Sequence, residues 1–336
     1  MEKIGIIGSG TWGTAISILL HNNGHEVTIW SAIPEEIDEM AATRKHKNLP
    51  EVTLPESLRL TKDLKEAMEG KDLLVMAVPS VFVRSTAKRM KPYLHDGQII
   101  VDVAKGIEES TLFTMSQIIE EELPTAQVAA LSGPSHAEEV SRGLPTTCVA
   151  GAHKKAVAEY IQSVFMSPVF RVYTSPDMLG IEIGAALKNV VALAAGIADG
   201  LGYGDNTKAA LITRGMAEIA RLGMAMGGKY QTFAGLSGIG DLIVTCASMH
   251  SRKRRAGILI GKGYSMEEAM KEVQMVVEGV YSAKAAMALA KKYEVPMPIV
   301  EQVNRVLFEG MPASEAVSEL MLRDKRIENS DLPWEE

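Results

Sequence analysis

At 336 residues the chain exceeds the usual ~100–150-residue domain, so two domains are expected, and 46% hydrophobic with 23% charged residues excludes disordered and fibrous classes. A net charge of −7 argues against general nucleic-acid binding yet leaves room for a local anion pocket. Two cysteines far apart, Cys148 and Cys246, supply neither a disulfide framework nor metal-ligand spacing, which points to a reducing cytoplasm and no metal.

The chain enters an apparent strand at once, without a basic n-region or cleavage site, so no signal peptide is expected. Short apolar runs predict strands at residues 4–7, 27–30, 73–78, 99–103, 128–131, 147–150 and 169–173. Between them, helical periodicity marks 14–23, 81–90, 112–121 and 154–164. Such alternation implies an α/β Rossmann-type, doubly wound, mostly parallel sheet, whose ligands sit beyond the carboxyl ends of the strands.

After residue 175 the strand signals stop, and helical patterns follow at 178–199, 206–227, 251–262, 265–273, 279–293, 298–308 and 313–322. The expected division is a dinucleotide-binding domain over 1–176 and an all-α substrate-binding and catalytic domain over 177–336. The longest apolar stretch, 183–198, contains Lys188 and falls short of the ~20 residues that span a bilayer, so no membrane segment is expected. The acidic end, ENSDLPWEE, is expected to fray.

Chemistry concentrates in a few stretches. In GSGTWG, the glycines Gly8, Gly10 and Gly13 have the spacing for a tight turn, backbone approach to a pyrophosphate and close helix-strand packing, with Ser9, Thr11 and Trp12 between them. The helix that follows offers N–H groups and its positive dipole end to phosphate. At the end of the next strand an acid would select NAD and a base NADP, but the residues are Ser31 and Ala32. Ser31 can donate to a ribose hydroxyl or a phosphate, and Arg44 or Lys45 lies close enough in sequence to swing in. The choice between NAD and NADP stays open.

Between Glu182 and Asp199 the only formally charged residue is Lys188, in a helix of small and apolar residues. A lysine there either snorkels to the surface or is held in a site. A desolvated lysine exchanges protons near neutrality, and reducing a ketone needs an acid and a cation at the developing alkoxide. Lys105, just after the fourth of these strands, and Gly133, Pro134 and Ser135, after the fifth, fall at the carboxyl edge of the sheet. Asp241, in the glycine-rich stretch GLSGIGDL, can orient a lysine from a turn. The run HSRKRR reads either as a solvated face or, with Ser251 and Arg252 at a helix start, as a phosphate clamp. His136 has no context that separates a ligand from a cap.

Taken in order, GSGTWGTA, VPS (78–80), AKG (104–106), SGPSHAEE, KNV (188–190), TRG (213–215), GIGDL, SRKRR and VVEG make the chain resemble the bacterial NAD(P)-dependent glycerol-3-phosphate dehydrogenases over essentially its whole length. The resemblance implies reversible hydride transfer between NAD(P)H and dihydroxyacetone phosphate, giving sn-glycerol 3-phosphate for phospholipid synthesis, by a cytoplasmic homodimer without nucleic-acid or membrane partners. It further implies Lys188 as general acid/base, Lys105 shared by nicotinamide and substrate, and Gly133, Ser135, Asp241, Ser251, Arg252 and Lys253 at the substrate. Thr11, Trp12, Ala137, Arg252, Val276 and Glu278 would then face the cofactor. This chain departs from the family at Lys253, where Asn is frequent, and at Ala32, where Arg or His is frequent. A β-hydroxyacid dehydrogenase of similar two-domain build is the alternative within enzymes, and a dinucleotide-sensing regulator using RKRR on nucleic acid the alternative outside them.

Overall fold

A computed structural model describes residues 1–248, 251–273, 278–325, 327–328 and 334–335. Strands β1 (Lys3–Ile7), β2 (Glu26–Trp30), β3 (Arg59–Thr61), β4 (Leu73–Met76), β5 (Ile99–Asp102), β6 (Gln127–Ser132), β7 (Thr146–Ala152) and β8 (Phe170–Ser175) form one sheet. Their order is β3-β2-β1-β4-β5-β6-β7-β8, and every pairing is parallel except β6 with β7. The sheet is therefore doubly wound and mostly parallel, as the alternating runs imply.

Period-two burial explains both covered faces. On one side Ile4, Ile6, Leu73 and Val75 pack with Ile16 and Leu19 of α1 (Thr11–Asn22); on the other Ile7, Leu74 and Met76 pack with Ala67, Ala87 and Ile118. The helices on this half are α1, α2 (Pro34–Thr43), α3 (Leu64–Met68), α4 (Val83–Met90), α5 (Met115–Glu122), α6 (Ala137–Ser141) and α7 (Lys155–Phe165). On this half four elements escaped the sequence reading: β3 is three residues long, and α2, α3 and α6 are short or largely exposed, so none carries a sustained period. Helix α1 begins three residues earlier than its apolar pattern, because Gly10 caps it and the glycine loop leads straight in. Helix α5 begins three residues later than expected, at the capping box of Thr114 and Gln117.

Beyond β8 the chain is helical: α8 (Met178–Gly200), α9 (Asp205–Ala225), α10 (Tyr230–Phe233), α11 (Asp241–Ala247), α12 (Arg252–Gly261), α13 (Met266–Val273), α14 (Glu278–Lys292), α15 (Pro298–Phe308) and α16 (Ala313–Met321). Helix α8 is the axis of this half. At 23 residues it is long and apolar enough to cross a bilayer, longer than its uninterrupted apolar run suggests, yet it lies buried among its neighbours. Helix α12 lies backbone to backbone on it. A Cβ at Gly196 would stand 2.2 Å from the Arg254 carbonyl oxygen, and one at Gly257 would stand 2.3 Å from that of Leu193, so only glycine permits this approach. The approach sets the N-terminus of α12 beside the middle of α8.

Two buried carboxylates join the halves. Glu182 of α8 accepts from the Ser116 backbone N–H at 2.8 Å, and Glu278 at the start of α14 accepts from the Ser80 N–H at 3.2 Å and from the Ser80 hydroxyl. The joint they span is where the sheet's carboxyl edge meets the helices.

Candidate active site

The strand order reverses between β1 and β4, the switch point at which doubly wound sheets bind ligands. The glycine loop leaves β1 here. Gly8 has φ +126°, and a Cβ on it would lie 2.7 Å from the Ala77 carbonyl after β4; a Cβ on Gly13 would lie 2.1 Å from the Gly8 carbonyl oxygen. Gly10, by contrast, faces open space, and as N-cap of α1 it has no side chain to occupy the helix's N–H groups. These features fit a dinucleotide pyrophosphate, and the buried Trp12 Nε1 and Asn189 Oδ1 have no partner among the described residues.

Around this loop the other expected cofactor contacts are arranged unevenly. The Thr11 hydroxyl accepts from Asn48 at 3.2 Å, and Ala137 opens α6, which packs on α1. Ser9 and Ser31 are both buried, and both donate to one carboxylate oxygen of Glu36, at 2.7 and 3.0 Å. The sequence reading missed Glu36, although two acids behind Pro34 at a helix start were its signal. Arg44 does not reach the loop: its guanidinium donates to the carbonyls of Leu58 at 3.1 Å and Glu56 at 3.2 Å. Glu278 is turned to Ser80, and Val276 lies outside the described residues.

The lysine of the apolar helix does not snorkel. Lys188 is 4% exposed, and its Nζ donates to Oδ1 of Asp241 and, at 2.9 Å, to the Thr245 hydroxyl. Lys105, carried in after β5, donates to the other oxygen of Asp241 at 2.7 Å and to the Gly133 carbonyl at 3.1 Å. Gly133 and Ser135 follow β6, with the Ser135 hydroxyl donating to that same carbonyl at 2.9 Å. One carboxylate thus bridges two lysines from opposite halves of the molecule. Asp241 is not in a loose turn: the glycines wind residues Leu236–Gly240 into a π-helical turn that runs into α11, an irregularity common at functional sites. Thr245, one turn further along α11, donates to the Asp241 carbonyl at 2.6 Å, so its lone pair is left to receive Lys188. Its i+4 spacing from Asp241 was the unused signal.

Electrostatics follow from this sharing. Burial holds the Lys188 ammonium well below the usual lysine range, the more so because Lys105 and Lys253 stand near; Asp241 alone works the other way. Burial pushes the Asp241 carboxyl up, but the two lysines outweigh it and keep it below the usual carboxylate range. The cluster sets two lysines against one carboxylate.

The basic run divides by position. Ser251 is buried and its oxygen caps α12 by accepting from the Arg254 N–H at 3.3 Å. Arg252 is half-buried in the field of Glu278 and Glu138, and Lys253 lies in that of Arg252, Glu278, Lys105 and Asp241, its burial pushing it down to about 8. Arg254 instead pairs with Asp199 at 2.7 Å, while Arg255 is exposed. His250 lies outside the described residues. The His136 ring, at 3.4 Å from the Val244 carbonyl, sits where α6 meets α11, and burial lowers its pKa.

Comparison with known proteins converges on one family. The model described as the N-terminus of NAD-dependent glycerol-3-phosphate dehydrogenase matches residues 3–158, and that of its C-terminus matches 177–318. The chain is 64% identical over 335 residues to a glycerol-3-phosphate dehydrogenase [NAD(P)+] of Agathobacter rectalis, covering 99% of this chain and 100% of that one. It is 64% identical over 331 residues to the protein of the same name from Fusobacterium nucleatum, covering 98% and 99%. The crystal structure of a glycerol-3-phosphate dehydrogenase from Coxiella burnetii superposes with a TM-score of 0.93 at 37% identity, covering 96% of this chain and 99% of that one.

Proposed function

The chain belongs to the NAD-dependent glycerol-3-phosphate dehydrogenase family, and from that premise we propose how its residues divide the reaction. It is an NAD(P)-dependent oxidoreductase that interconverts dihydroxyacetone phosphate and sn-glycerol 3-phosphate. The nicotinamide, when bound, supplies or takes up the hydride. Residues 1–176 hold the dinucleotide, through Gly8, Ser9, Gly10, Thr11, Trp12 and Gly13 with Ser31 and Ala137; residues 177–336 bring the acid and the contacts to the substrate phosphate.

An ammonium has three N–H donors, and Lys188 engages two of them with Asp241 and Thr245. The third is left for the carbonyl oxygen of the substrate, where Lys188 delivers its proton as the alkoxide forms. Depression of its pKa by burial makes that release easier, and after it the Lys105–Asp241 pair remains neutral. Lys105 likewise has one donor beyond Gly133 and Asp241, directed to the nicotinamide and substrate. Gly133 and Ser135 line the substrate, Ser251, Arg252 and Lys253 hold its phosphate, and Arg252 and Glu278 face the cofactor.

The observation that carries this division is the Asp241 carboxylate shared by a buried lysine and a lysine from the sheet edge. Its test is Lys188→Arg, which keeps a cation beside Asp241 but has no proton to give near neutrality. Turnover lost with dinucleotide binding kept supports proton transfer by Lys188; near-normal turnover would reduce Lys188 to an electrostatic role. A cytoplasmic homodimer serving phospholipid synthesis completes the proposal, with light scattering as the check on assembly.

A further inference from the structure

Cofactor choice is where the sequence is silent, because Ser31 and Ala32 are neither acid nor base. The acid arrives instead on the first turn of α2. Glu36 Oε2 accepts from Ser9, in the glycine loop, and from Ser31, at the end of β2, so one hydroxyl from each wall of the notch fixes the carboxylate between them. The two serines are 2% and 5% exposed, whereas the Glu36 side chain is 29% exposed, enough to meet a ligand lying on the loop. Its other oxygen, Oε1, lies 3.8 Å from Lys47, which is itself largely exposed.

We infer that Glu36 reads the adenosine ribose of the dinucleotide, accepting from its free hydroxyls, and that this makes the enzyme prefer NADH to NADPH. The inference rests on the cofactor placement proposed above. A carboxylate is acceptor-only and suits a ribose diol, whereas a 2′-phosphate would bring two like charges together. Of the basic residues that follow α2, Lys45 is exposed and the other three are engaged or uncharged. Arg44 is spent on the Leu58 and Glu56 carbonyls and the Glu56 carboxylate, 3.5 Å away. His46 is buried, and burial lowers its pKa, so it stays neutral at pH 7. Lys47 is already paired with Glu36.

The test uses the two adenosine fragments, ADP-ribose and 2′-phospho-ADP-ribose, so that binding is read by titration calorimetry without turnover. Wild type should bind ADP-ribose about tenfold or more tightly than its 2′-phosphate, the effect of one like-charge contact at a partly exposed site. Glu36→Gln, which keeps an oxygen for the two serines, should bring the ratio close to one, and the kcat/KM ratio for NADH over NADPH should fall by the same factor. Equal or tighter binding of the phosphorylated fragment by wild type, or an unchanged ratio in Glu36→Gln, overturns the inference. Gly10→Val separates the two readings: its side chain meets only open space in the protein but fills the approach to α1, so both fragments should weaken together. If they do not, the cofactor placement itself fails.

Discussion

The glycine loop and the lysine cluster bind by opposite means. The loop meets the pyrophosphate through backbone: three glycines within six positions bend the chain and open a helix end. The cluster works through side-chain charge gathered from far apart, Asp241 standing 53 residues from Lys188 and 136 from Lys105. The loop therefore rejects an added Cβ at Gly8 and Gly13, while the cluster rejects a lost charge. Variants that act on one region alone test that separation.

The largest effect is expected at Lys188. Replacing it with Ala removes both the proton and a cation, so kcat for dihydroxyacetone phosphate reduction should fall by about 10³–10⁴. Because the loop is built independently, the Kd for NADH, followed by its fluorescence, should stay within about twofold of wild type. Collapse of NADH binding in this variant would break the comparison.

Next is Asp241→Asn, which strips a buried and a partly buried lysine of their shared counter-charge. Removing one member of such a network costs about 3–5 kcal/mol, a drop in Tm of roughly 6–15 °C for a chain of this size. Lys188→Met/Asp241→Asn removes one of the stranded charges and should recover part of that stability while remaining inactive. If the single variant melts like wild type, the three groups do not depend on one another as their hydrogen bonds imply.

This contrast also explains what could be read from the sequence. The loop was legible because its spacing is local, and the long helix because a lone lysine among small residues stands out. Glu36 and Thr245 went unread although each had a local signal, because a helix-start acid or an i+4 spacing gains meaning only through contacts formed when separate elements meet. The π-helical turn before Asp241 read as a loop because glycines mark both. The basic run was ambiguous for a physical reason. Helical geometry turns Arg254 to Asp199 while Arg252 and Lys253 face the joint, so a single stretch serves packing and binding.

A smaller effect is expected at Arg252, and it sharpens the assignment of the phosphate end. A charged hydrogen bond contributes about 1.5–3 kcal/mol, so Arg252→Ala should raise KM for dihydroxyacetone phosphate by about 10- to 100-fold with a lesser change in kcat. With unphosphorylated dihydroxyacetone the variant and wild type should differ little. An equal loss on both substrates would assign Arg252 to the cofactor alone.

The smallest effect is a pH dependence at Lys253, whose ammonium burial brings down to about 8 from 10.5. Below about pH 8 the group is charged and attracts a phosphate; as pH rises through 8 that attraction is lost, and KM should climb by about three- to tenfold. Stability moves the other way. Between about pH 8 and 10.5 the unfolded chain holds a proton that the folded one has released, so this group makes the folded state gain as pH rises. A KM that climbs where Tm does not fall therefore separates titration at the site from unfolding. Lys253→Asn, which keeps a donor without the charge, should raise KM at pH 7 and flatten its climb above pH 8. A climb that persists in the variant would move the titration to another group in the cluster, Lys188 first.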